Sequence, residues 1–91
     1  MTKLDTDKFK EDLCFNIKDK FEQTGYEDAS VASLNPNLIL IKVDTIGVCI
    51  TIDVVSVGEI KMSINNYFDG ILSLLINIDE ALKETRSDWY C

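Results

Sequence analysis

The stretch that decides the fold is LILIKVDTIGVCITIDVVSVGEIKMSI, residues 38–64. Leu38 to Asp44 is short and rich in branched apolar residues, the composition of a strand. Thr45-Ile46-Gly47 is a short connection. In Val48 to Val55 the side chains alternate: Val48, Ile50, Ile52 and Val54 on one face, Cys49, Thr51, Asp53 and Val55 on the other. Ser56-Val57-Gly58-Glu59 turns the chain again. Ile60, Met62 and Ile64 then alternate with Lys61, Ser63 and Asn65 as a third strand. A period of two with one apolar face belongs to an antiparallel sheet covered on one side. Gaps of three to four residues fit hairpins and leave no room for parallel crossovers.

Upstream, Asp7 to Thr24 reads as a helix. Phe9, Leu13, Ile17 and Phe21 recur every fourth residue as an apolar stripe, Thr6 stands where an N-cap would, and Gly25 suits a left-handed C-terminal cap. Phe15 sits about 120° off that stripe, so it faces a second surface, either a partner or the chain's own C-terminal end. Tyr26 to Leu34 leaves room for a short edge strand around Ala29 to Ser33, and Asn35-Pro36-Asn37 signals a turn. Downstream, Tyr67 to Thr85 reads as a second helix with Asn66 as N-cap. Its stripe is Phe68, Ile71, Leu72, Leu75, Ile78 and Leu82. A short tail, residues 86–91, carries Trp89 and Tyr90.

Two amphipathic helices must bury their stripes against something. The expected fold is therefore a single α+β domain over residues 1–91: a two-layer sandwich, helix, three or four antiparallel strands, helix, with both helices on one face of the sheet. No apolar signal core follows Met1, and the most apolar run, Ile71 to Ile78, is too short to span a bilayer. A cytoplasmic location is expected.

The chain has no His. Ser–His–Asp and Cys–His catalysis, histidine-containing zinc sites and a histidine pH switch are therefore excluded. The glycines form neither GxGxxG nor GxxxxGK[ST], so no phosphate cradle is indicated. Cys14, Cys49 and Cys91 are odd in number, widely spaced and without CxxC, which points to reduced thiols. Cys14 and Cys49 are expected as buried small hydrophobes and Cys91 as an exposed, reactive thiol. Asp44 and Asp53 lie on adjacent strands and would form a carboxylate pair if the hairpin brought them to the same edge. No catalytic residue, metal or cofactor is assigned, and the chain is expected not to be an enzyme.

Sixteen Asp and Glu outnumber nine Lys and Arg, for a net charge of −7. Neutralising nucleic-acid phosphates needs a basic footprint, so direct nucleic-acid binding is not expected, nor is an anionic membrane. The excess acid sits in the two helical ends and little of it in the sheet. A protein with a basic surface is the natural partner. Asp79, Glu80, Glu84 and Asp88, with Trp89 and Tyr90, are the candidate protein-binding residues, since Trp and Tyr recur at binding hot spots. The other fate for Trp89 and Tyr90 is to fold back over the core, near Phe15.

The usage of 11 Ile, 8 Lys and 6 Asn against 3 Ala and 1 Arg fits an AT-rich gene. In size, acidity and element order the chain resembles phage-encoded inhibitors of bacterial defence, anti-CRISPR proteins among them. The resemblance implies a non-enzymatic inhibitor that occupies a nucleic-acid site on its target. The alternative is an acidic, homodimeric chaperone or immunity-type partner, and a small carboxylate-dependent enzyme comes third.

Overall fold

A computed structural model describes residues 3–26, 28–34, 37–56, 58–65 and 70–90. The order is α1 (Lys3–Gln23), β1 (Ala29–Leu34), β2 (Leu38–Val43), a single 3-10 turn (Asp44–Ile46), β3 (Val48–Ser56), β4 (Glu59–Ile64) and α2 (Ile71–Tyr90). The four strands form one antiparallel meander in chain order, β1-β2-β3-β4. Leu34 pairs with Leu38, Val43 with Val48, and Val54 with Ile60. Gly47 closes the middle hairpin at φ 66°, a left-handed conformation that glycine adopts without the Cβ clash other residues meet.

The alternation in β2 and β3 places one side-chain set inward. Ile39, Ile41 and Val43, with Val48, Ile50, Ile52 and Val54, are all buried. Phe9, Leu13, Ile17 and Phe21 of α1 join them, as do Ile71, Leu74, Ile78, Ala81 and Leu82 of α2, in one continuous cluster. Both helices thus lie on one face of the sheet, as the pattern requires. The uncertain segment before Pro36 is an edge strand, β1. On β3, Val54 and Ser56 pair with Ile60 and Glu59, so Val55 is the extra residue of a bulge.

Helix α1 starts at Lys3, which places Thr6 inside the helix and not at its N-cap. At its other end Thr24 donates from N to Lys20 O at 3.1 Å, and Tyr26 N donates back to Phe21 O at 2.8 Å. Gly25 lies at φ 91° between them. This six-to-one bond with a left-handed residue is the Schellman cap, and its usual apolar contact is present as the Phe21 and Tyr26 rings, 5.7 Å apart at 70°.

Helix α2 departs from expectation in two ways. It runs through Tyr90, so the expected tail is helical up to that residue. Ser87-Asp88-Trp89-Tyr90 contains no breaker, and Trp89 packs on the core. The buried stripe is also rotated. Leu72 is 67% exposed and Leu75 only partly buried, while Leu74 is fully buried. The reason is polar: Asn77 and Thr85 are buried against α1, and their hydrogen bonds turn the helix so that Ala81 and Leu74 face in. The expected N-cap Asn66, stripe residue Phe68 and the Asn35-Pro36 part of the turn lie outside the described residues.

Candidate functional site

The candidate residues of α2 project from one helix but do not form one patch. Glu84 and Glu80 lie beside α1, where Lys20 Nζ reaches Glu84 Oε1 at 2.7 Å and Glu80 Oε2 at 3.9 Å. The hydrogen bond from Lys20 to Glu84 holds its ammonium above the usual lysine range, with partial burial opposing and the charges of Glu84, Glu80 and Asp19 adding to it. Asp79 pairs one turn on with Lys83 at 3.0 Å. Asp88 is exposed. Three of the four carboxylates therefore already have cationic neighbours, which lowers the field they offer a partner.

Trp89 is half buried. Its ring meets Phe9 edge-on, with centroids 5.7 Å apart at 89°, and its Nε1 donates to Asp12 Oδ2 at 3.0 Å. The fold-back position is therefore over Phe9, on the α1 stripe, rather than over Phe15. The Tyr90 side chain and Cys91 lie outside the described residues.

Phe15 is left 70% exposed, the most exposed large apolar side chain among the described residues. Its neighbours one turn away on α1 are Glu11, Asp12, Lys18 and Asp19, with Glu22 two turns on. Phe15, Lys18, Asp19 and Glu22 line an open surface hollow of about 200 Å³. Glu11 and Asp12 are turned to accept from Ser33 Oγ and Trp89 Nε1 respectively. The result is an aromatic side chain in a predominantly acidic rim.

The middle hairpin does turn at Ile46-Gly47, but this separates the two aspartates instead of joining them. Asp44 sits at the turn, beside the Val43–Val48 pair, whereas Asp53 pairs with Leu38 at the other end. Five ladder steps, about 17 Å, lie between the two ends. The Asp53 carboxylate instead accepts from Asn37 Nδ2 and helps fasten the start of β2. Among the described residues no group of three or more His, Cys, Asp or Glu is placed to hold a metal ion.

Cys14 and Cys49 are half buried, not enclosed as expected. Each lies off its element's buried stripe: Cys14 one residue past Leu13, Cys49 on the outer face of β3. Burial raises the Cys14 thiol above its ordinary value, and the Glu11 carboxylate raises it further, against Lys18 and Lys10. The sequence also hides Lys10. Spaced one residue from Phe9 it reads as solvated, yet it is buried, and its Nζ donates to Leu34 O at 2.9 Å, tying α1 to β1.

No helix of the described chain is long and apolar enough to cross a membrane. No protein-family model, curated protein or solved structure matches the sequence. Its class is that of the two-layer α+β sandwich with both helices on one side of an antiparallel meander.

Proposed function

We propose that this chain is a small, non-enzymatic, protein-binding module of the cytoplasm. It inhibits a nucleic-acid-handling protein by covering that protein's basic surface, in the manner of the phage anti-defence inhibitors it resembles. The observation that carries the reading is Phe15. An aromatic ring held out of the core on the outer face of α1, amid Asp12, Asp19 and Glu22, has the anatomy of an interface: an apolar anchor for a pocket and a charged rim for orientation. Among the described residues Trp89 packs on Phe9 and Phe15 stays 70% exposed, which supports the partner as the fate of Phe15. The net charge of −7 makes a Lys/Arg-lined groove the complementary target. On this reading the anchor is Phe15 on α1, and the α2 carboxylates Glu80, Glu84 and Asp88 add to the negative charge of the helix pair.

The test is affinity capture from the native host with the intact chain and with Phe15→Ala, read by mass spectrometry. The expected catch is a basic nucleic-acid-binding protein, lost in the variant and displaced by that protein's own nucleic acid. A partner retained equally by Phe15→Ala, or one unaffected by nucleic acid, defeats the reading.

A further inference from the structure

Leu13 and Ile17, on either side of Phe15 in sequence, are fully buried. Two residues are more than half a helical turn, so Phe15 between them projects away from the sheet. The hollow beside its ring belongs to one helix face. Lys18 and Asp19 follow Phe15 by one turn and Glu22 by two, and all three are exposed. Lys18 and Asp19 stand about 100° apart around the helix as opposite walls, with Phe15 and Glu22 at the ends.

The charges of this face are not cancelled from within. Gln23 Nε2 donates to Asp19 Oδ2 at 2.8 Å, which orients that carboxylate with a neutral group. Glu11 and Asp12 likewise accept from neutral donors, Ser33 Oγ and Trp89 Nε1. Among the described residues neither Asp19 nor Glu22 makes an ion pair, whereas Asp79, Glu80 and Glu84 of α2 all do. From Glu11 to Glu22 the exposed charged side chains are four carboxylates and one ammonium, that of Lys18.

A ring face beside unpaired carboxylates discriminates among occupants. An apolar side chain would cover the ring but strip water from Asp19 and Glu22 without replacing its hydrogen bonds, which is unfavourable. An ammonium supplies charge, but it is strongly hydrated and has no flat surface. A guanidinium supplies both requirements: a weakly hydrated planar face for the ring, and a fork of N–H donors for carboxylates. The hollow, about 200 Å³, has room for that group and the methylenes behind it.

We propose that the hollow receives an arginine side chain of the partner, its guanidinium laid on the Phe15 ring and its N–H groups donated to Asp19 and Glu22. The inference rests on the reading of this face as the binding surface and specifies the group it binds. Toward that arginine, Asp19 and Glu22 take the place of nucleic-acid phosphate oxygens. Lys18 on the other wall repels the cation and turns it toward Asp19.

The test needs no identified partner. The probes are hexa-arginine and hexa-lysine peptides of equal charge, titrated calorimetrically against the intact chain. Hexa-arginine should bind roughly fivefold tighter or more. Phe15→Leu keeps an apolar side chain at an exposed position but removes the ring face. It should keep the circular dichroism of the wild type and bring the two peptides to the same affinity. Asp19→Asn with Glu22→Gln, which preserve shape, should weaken hexa-arginine more than hexa-lysine. Asp79→Asn with Glu80→Gln should weaken both alike. Equal affinities for the wild type, or an arginine preference that survives Phe15→Leu or the Asp19 and Glu22 changes, overturns the proposal. Capture from the host separates this from the reading beneath it. A partner lost with Phe15→Ala but held fully by Phe15→Leu keeps the binding surface, makes Phe15 an apolar anchor and overturns the arginine contact. A partner held by Phe15→Ala defeats the reading itself, whatever the peptides show.

Discussion

At the scale of single residues, the rotation of α2 decides which leucine carries the core. Leu74 is fully buried and Leu72 two-thirds exposed, although the apolar stripe read from the sequence holds Leu72 and not Leu74. Leu74→Ala is expected to cost about 2–5 kcal/mol, the transfer of its side chain plus the cavity left behind. Leu72→Ala should stay within about 0.5 kcal/mol in the isolated chain. Urea midpoints for the two variants check this, and equal shifts would mean the helix is rotated otherwise. Cys14 gives a second prediction. Its thiol is raised above the ordinary value of 9.0, chiefly by burial, so the native protein holds it protonated at neutral pH. Since the thiolate is the nucleophile, native Cys14 should react with a thiol reagent more slowly than the same residue in the unfolded chain, with a rate still climbing above pH 9.0. Equal native and unfolded rates at pH 8 would contradict it.

At the scale of elements, the sheet was legible and the seam between the helices was not. Val48, Ile50, Ile52 and Val54 alternate with Cys49, Thr51 and Asp53, and a strand has only two faces, so the apolar pattern assigns the buried side. A helix has a continuous choice of rotation. There the choice falls to Asn77, whose Nδ2 donates to Thr24 Oγ1 at 2.9 Å, and to Thr85, which accepts from Asn16 Nδ2 at 2.7 Å and donates to Ala81 O at 2.7 Å. Polar residues in a seam are invisible to hydrophobic periodicity, and so was the inward turn of Trp89. Phe15 was legible as off-stripe; what covers it could not be read, because that depends on where Trp89 goes. Asn77→Ala should cost about 1–3 kcal/mol by leaving the seam short of a hydrogen bond, measurable by thermal or chemical denaturation. Lys20 ties the same seam. Its pKa is raised, so its stabilisation is fully present below the ordinary lysine value of 10.5 and is lost as pH rises through the folded value. The stability difference between wild type and Lys20→Met should therefore be constant through neutral pH and vanish only in strong alkali. A difference that disappears by pH 8 would assign it to packing of the lysine stem or to another group.

At the scale of the whole molecule, function follows from how the charge and the apolar surface are divided. The excess of carboxylates is carried by the helical ends, but Lys20 and Lys83 temper the acidic ridge on α2. On the proposed reading, the outer face of α1, with Asp12, Lys18, Asp19 and Glu22 around the exposed Phe15 ring, would combine attraction and anchoring. Two kinetic consequences separate. Long-range attraction acts before contact and is screened over about 8–10 Å at physiological salt, so association with the basic partner should slow as salt rises. The anchor acts after contact, so Phe15→Ala should mainly speed dissociation. Asp19→Lys with Glu22→Lys should slow association and flatten its salt dependence while leaving the melting temperature nearly unchanged, since both side chains are exposed. The corresponding reversal on α2, Asp79→Lys with Glu80→Lys, should have the smaller effect, because those carboxylates already sit beside Lys83 and Lys20. Surface-binding kinetics at several salt concentrations, with both charge-reversed variants and Phe15→Ala, measure all of this together. A larger loss from the α2 reversal would move the interface to the C-terminal helix. Salt-independent association with all variants binding normally would remove the acidic face from the function altogether.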